Sequence, residues 1–190
     1  GHLSSNLGVV ELTIALHRSF DFLKDKLLFD VGHQCYTHKI LTGRSLKGLR
    51  SENGISGFIK CSESPYDIFE AGDSSTSLSA AQGFAIARDL NKEKYDVVAL
   101  IGDASIVSGL ALEALNNIAP NNNKIIIVLN DNGMSISKPT GGINKLFTKI
   151  SSGAGYNNFK VKYKNSLSKT KFGKRIFAFT SKIKNWLKSK

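Results

Sequence analysis

Ile101-Gly102-Asp103, a helix-length segment, and then Ile125-Ile126-Ile127-Val128-Leu129-Asn130-Asp131-Asn132 form the stretch on which the fold turns. Two apolar runs of strand type end in oxygen-bearing side chains, Asp103 and Asn132, with one helix's worth of chain between them. In a parallel sheet, a right-handed strand–helix–strand crossover brings such ends to one edge. A carboxylate and a carboxamide there suit a hard divalent cation that keeps its remaining positions for phosphate oxygens. Alone, Asp103 also reads as a helix cap, and Asn132 as a turn residue in Asn130-Asp131-Asn132-Gly133. Their matching positions favour the metal.

Outward from this unit the alternation continues. Residues 6–22 read as one mostly apolar helix with Asn6 as a possible cap. Leu27-Leu28-Phe29-Asp30-Val31 reads as a short buried strand, broken by Gly32. A short helix from about Tyr36 to Leu41 precedes a Gly/Ser-rich connection over 43–66. A small-residue helix spans Leu78 to Leu90, and strand 97–101, helix 108–118 and strand 124–129 follow. Strands alternating with helices predict an α/β protein with a parallel sheet and helices on both faces. From 151 the character changes: 151–171 is Gly/Ser/Asn/Lys-rich, and Phe172, Ile176, Phe179, Ile183 and Trp186 sit at helical spacing among lysines. That predicts a domain over 1–150 and a basic linker with an amphipathic helix over 151–190.

The 190 residues suffice for one well-buried domain. A formal charge of +11 suggests nucleic acid until it is located. Eleven Lys and Arg and no acid lie from 151 onward, leaving 15 basic and 15 acidic residues before it. Any polyanion-binding reading is therefore confined to the tail, where a membrane surface, a partner helix or plain packing are the alternatives; the domain itself is read as no nucleic-acid binder. No apolar run is long enough to span a bilayer, and the start shows no signal-peptide pattern. Cys35 and Cys61 lack metal-ligand spacing and read as free thiols in a reducing, cytoplasmic setting. The single methionine is Met134, so the chain is read as a piece of something longer.

Three further candidates stand beside Asp103 and Asn132. Gly72-Asp73-Ser74-Ser75-Thr76-Ser77 offers backbone N–H groups and hydroxyls to phosphate, or is simply a capped helix start; the Asp73 charge opposes an anion. His33 follows a strand, where site residues of such sheets gather. His2, beside Ser4, Ser5 and Asn6, is polar enough for substrate contact. His17 lies in an apolar helix pattern and reads as packing. The histidines show no zinc-ligand spacing.

Together, Gly1-His2-Leu3-Ser4-Ser5-Asn6-Leu7-Gly8, Asp30-Val31-Gly32-His33-Gln34 with the residues through Arg44, Gly72-Asp73-Ser74-Ser75-Thr76-Ser77, Ile101-Gly102-Asp103 and Leu129-Asn130-Asp131-Asn132-Gly133-Met134-Ser135-Ile136-Ser137 carry a resemblance. The chain resembles the N-terminal domain of the 1-deoxy-D-xylulose-5-phosphate synthase family, thiamine-diphosphate enzymes of the transketolase superfamily. The resemblance covers about residues 1–150 closely and the tail more loosely. It implies a three-layer α/β/α thiamin-diphosphate-binding fold and condensation of pyruvate with D-glyceraldehyde 3-phosphate, releasing carbon dioxide. The product, 1-deoxy-D-xylulose 5-phosphate, feeds isoprenoid, thiamine and pyridoxal synthesis. By the same resemblance, Asp103, Asn132 and the Met134 carbonyl hold Mg²⁺. His33, Gly72, Asp73, Ser74, Ala104, Ser105 and Asn132 contact thiamine diphosphate, and His2 faces substrate and assists proton transfer. The complete protein is expected to be a homodimer.

Two departures bear on cofactor affinity. The family's Gly-Asp-Gly reads Gly102-Asp103-Ala104, adding a methyl where backbone approaches the cofactor. The family's Gly-His-Ser reads Gly72-Asp73-Ser74, placing a carboxylate near phosphate. In the family the glutamate that activates the aminopyrimidine belongs to a second domain, so this polypeptide alone is expected to be inactive. The rival expectation is a degenerate or truncated copy that acts only as a folded interaction module.

Overall fold

The computed structural model describes residues 3–131, 141–143 and 146. The chain divides into two compact units, 1–139 and 140–190. Nearly all the described residues belong to the first. The basic amphipathic helix expected over 172–190 lies outside the described residues.

The first unit runs α1 (Leu3–Leu7), α2 (Val10–Ser19), β1 (Lys26–Phe29), α3 (Tyr36–Leu41), α4 (Ser77–Leu90), β2 (Val97–Gly102), α5 (Gly109–Ile118) and β3 (Ile126–Asn130). The strands form one parallel sheet in the order β1-β2-β3. Register pairs Leu27 with Val98 and Phe29 with Leu100, then Val98 with Ile126 and Leu100 with Val128. An unbroken apolar run marks a parallel strand covered on both sides. Val97 through Ile101 accordingly show no exposed surface.

Strand alternation then sorts the side chains. Leu27, Phe29, Val98 and Leu100 face Leu16 of α2, Phe22, Tyr36 of α3 and Ile59. Leu28, Val97, Ala99 and Ile101 point the other way. The helix α4 packs on β1 and β2 and buries Leu78, Ala81 and Ala85 at helical spacing. Helix α5 packs on α4, burying Ala111 and Ala114. The small residues let the layers approach closely. Each fully buried aliphatic side chain contributes about 1.5–3 kcal/mol. The predicted α/β class with helices on both faces is what the chain forms.

Several expected boundaries move. The single helix over 6–22 is two helices, broken at Gly8-Val9. Asn6 caps neither of them. It is buried in α1, and its Oδ1 accepts the Tyr36 amide at 2.8 Å while its Nδ2 donates to the His33 carbonyl at 2.8 Å. It caps α3, thirty residues away. The first strand ends at Phe29, not Val31, because the chain turns at once: the Gly32 amide donates to the Asp30 carbonyl at 2.7 Å. Val31 takes φ +62° and Gly32 φ +84° to make that turn. Glycine does so freely, whereas a β-branched residue there is strained.

The 43–66 connection is tied down by buried charge rather than left loose. Arg44 donates to both Asp67 oxygens, at 2.6 and 2.8 Å, and the fully buried Lys39 pairs with Glu63. His38 Nε2 lies 3.1 Å from Asp67 Oδ1, and His17 Nε2 lies 2.9 Å from His38 Nδ1. Burial alone would push the Asp67 carboxyl up. Its hydrogen bonds from His38, Arg44 and the Lys60 amide outweigh that and hold it well below the usual carboxylate range. The cysteines are free, Cys35 buried and Cys61 exposed. Among the described residues, no helix is long and apolar enough to cross a membrane.

Candidate functional site

All three strands run the same way, so their C-terminal ends deliver Asp30, Asp103 and Asn130 to one edge. Ligands of open parallel sheets bind at that edge. The Asp103 amide donates to the Asn130 carbonyl at 3.2 Å, joining the ends of β2 and β3. Between them lies a cavity of about 120 Å³ lined by Ser5, Asp30, His33, Gln34, Gly102, Asp103, Ala104, Ser105 and Asn130.

Its electrostatics are those of a site short of positive charge. Partial burial raises the Asp103 carboxyl, and neighbouring Asp131 raises it further, against the backbone amides of Ala104 and Asp103 itself. Two carboxylates share a partly dry edge. That arrangement fits a cation, which would draw the Asp103 carboxyl back down. A Cβ built on Gly102 meets nothing within 4 Å, so a ligand could approach the backbone there.

Asp30 is the hub of the wall. It is 1% exposed. Its Oδ1 accepts the Ser75 amide at 2.9 Å, and its Oδ2 accepts the Ser77 hydroxyl at 2.8 Å and amide at 3.3 Å. Ser75 in turn donates its hydroxyl to the Ser105 carbonyl at 2.9 Å. The loop before α4 is thereby fastened to the ends of both β1 and β2. Two amides counted as phosphate donors from sequence, those of Ser75 and Ser77, are already engaged by a carboxylate. At the start of α4, the Ser77 amide and hydroxyl are thus both taken by Asp30.

A family model described as 1-deoxy-D-xylulose-5-phosphate synthase matches residues 1–190. The chain belongs to that family. Curated relatives bearing this name include that of Clostridium botulinum (strain Eklund 17B / Type B), 53% identical over 99% of this chain and 31% of the relative. The Clostridium acetobutylicum protein gives the same identity and shares, and that of Dehalococcoides mccartyi (strain BAV1) is 50% identical over 97% of this chain and 29% of its own length. The chain thus spans about a third of the curated synthases it matches.

Of the residues this synthase family suggests, the structure brings His33, Asp103, Ala104 and Ser105 together around the cavity. Gly72, Asp73 and Ser74 are exposed and do not line it, though Ser75 ties their loop to Ser105. His2, Asn132 and Met134 lie outside the described residues. Sequence reasoning singled out neither Asp30 nor Gln34. Both stand in the Asp30-Val31-Gly32-His33-Gln34 string, just past a strand's C-terminal end, and that position was the available signal.

Proposed function

We propose that this chain is the diphosphate- and Mg²⁺-holding part of a transketolase-type synthase that joins pyruvate to D-glyceraldehyde 3-phosphate with loss of carbon dioxide. The observation that carries this is Asp103, a half-buried carboxylate at the C-terminal end of β2, joined to the end of β3 and facing the cavity. Thiamine diphosphate, when bound, supplies the electron sink that makes decarboxylation possible. Asp103, with Asn132 and the Met134 carbonyl, holds the metal against the diphosphate. His33, the Gly72-Asp73-Ser74 turn, and the backbone at Ala104 and Ser105 bind and orient the cofactor. His2 faces the substrate and moves a proton. The domain extends over 1–150, with 151–190 a basic linker and helix, and the complete protein is a cytoplasmic homodimer.

Calorimetric titration of thiamine diphosphate with and without Mg²⁺ tests the reading. Wild type should bind only with Mg²⁺. Asp103→Asn should weaken binding at least about tenfold, the loss of a charge-assisted contact. Ala104→Gly together with Asp73→His should strengthen it. No Mg²⁺-dependent binding by wild type or by the doubly substituted chain would sink the proposal and favour a folded interaction module instead.

A further inference from the structure

Gln34 stands in the cavity wall with one end of its carboxamide in use and the other idle. It is 6% exposed. Its Nε2 donates to the Asp30 carbonyl at 3.1 Å, while its buried Oε1 has no hydrogen-bond partner among the described residues. Turning the amide over would set oxygen against carbonyl and strand the NH₂ group, so the orientation follows from the bonding. A buried acceptor without a donor is costly, and native proteins keep few of them. A methionine of similar length would fill this volume without that cost.

We propose that Gln34 is a positioning residue whose Oε1 accepts a hydrogen bond from a water in the hydration shell of the divalent cation that Asp103 holds. The inference rests on the reading above that a cation and a diphosphate occupy the cavity. A diphosphate brings only acceptors and cannot satisfy a carboxamide oxygen. With three protein ligands and the diphosphate oxygens in place, octahedral Mg²⁺ keeps about one position for water, and that water's protons are the donors that arrive with it. Gln34 and Asp103 line the same cavity. Being neutral, the carboxamide accepts such a proton without adding charge to the edge where Asp30, Asp103 and Asp131 already stand. Fixed by Nε2 to the backbone of Asp30, it presents that oxygen in one place. Outer-shell partners of this kind change metal affinity by about 10–100-fold.

Mn²⁺, titrated into the chain in the presence of thiamine diphosphate and followed by electron paramagnetic resonance, measures the affinity directly. Gln34→Met should weaken Mn²⁺ binding about tenfold. Its melting temperature without metal should be unchanged or higher, since the idle acceptor is gone and the Asp30 carbonyl keeps the Gly32 amide at 2.7 Å. Equal Mn²⁺ affinity in wild type and Gln34→Met would overturn the inference and leave the cation site standing. So would a loss that merely tracks a lower melting temperature. No Mn²⁺ binding by wild type would overturn the site and the inference together.

Discussion

Asp30 and Ser77, forty-seven residues apart, are joined twice: the Asp30 Oδ2 accepts the Ser77 hydroxyl at 2.8 Å and its amide at 3.3 Å. A third bond, from the Ser75 amide at 2.9 Å, completes the contact. No side chain near the start of α4 caps it. A carboxylate from the end of β1 does so instead, and the same carboxylate sets the loop that borders the cavity.

Asp30→Ala should therefore strip three hydrogen bonds from buried donors. Leaving such groups unsatisfied costs about 1–3 kcal/mol each where no water can enter. Urea unfolding should show a loss of about 2–4 kcal/mol for Asp30→Ala and about 1 kcal/mol for Ser77→Ala. Equal stability of Asp30→Ala and wild type would mean that the contact does not hold the loop.

Val31 occupies the left-handed region at φ +62°, a conformation that costs a non-glycine residue about 1–3 kcal/mol. Asparagine tolerates it far better. Val31→Asn should raise stability by about 1 kcal/mol and the melting temperature with it. A fall would show that the valine side chain contributes more by packing than its backbone loses.

Burial, with His38 close by, pulls His17 down to about 4. The unfolded chain takes up this proton near 6.5 and the folded chain only near 4. Stability from a neutral His17 is thus complete above pH 6.5 and is lost as pH falls from 6.5 to 4. His17 is partly exposed, so solvent screening holds the effect to about 1 kcal/mol. Asp67, held low, loses its own contribution below this window. The melting temperature of wild type should drop relative to His17→Gln across pH 6.5 to 4. Parallel profiles would contradict the assignment.

Cys35 is buried and its thiol is pushed up to about 11, by desolvation first. Cys61 is exposed, yet desolvation and Glu70 raise it too. A disulfide reagent should titrate one thiol in the native chain, faster as pH rises, and two after unfolding. Two fast thiols in the native state would show that Cys35 is reached without unfolding.

How much of this was legible depends on whether the determinant is local. The run Val97 to Ile101 reads as a parallel core strand because only a strand covered on both faces tolerates such continuous apolar character. Asp103 was legible because it ends that run. Asn6 was misassigned because a polar residue at the head of an apolar stretch looks like a cap for the helix beginning there, and only its contact with Tyr36 shows otherwise. His38, Lys39, Arg44, Glu63 and Asp67 form no local pattern in the sequence. Their pairing into a buried cluster comes from chain paths that no local pattern encodes.

By itself, the sequence determined the alternation of strands and helices, the edge at which polar residues end those strands, and the family to which the motifs belong. The first two arise from side-chain periodicity and spacing along the chain, which act over a few residues; the family comes from the resemblance that the motif strings carry. Only the tertiary structure decided that Asp30 caps the N-terminus of α4 and that Gln34, in the wall of the cavity that Asp103 also lines, keeps a buried acceptor without a partner among the described residues. A hydrogen bond is satisfied or left idle by what lies within about 3 Å in space, and for these residues the partners lie at the ends of other strands and helices.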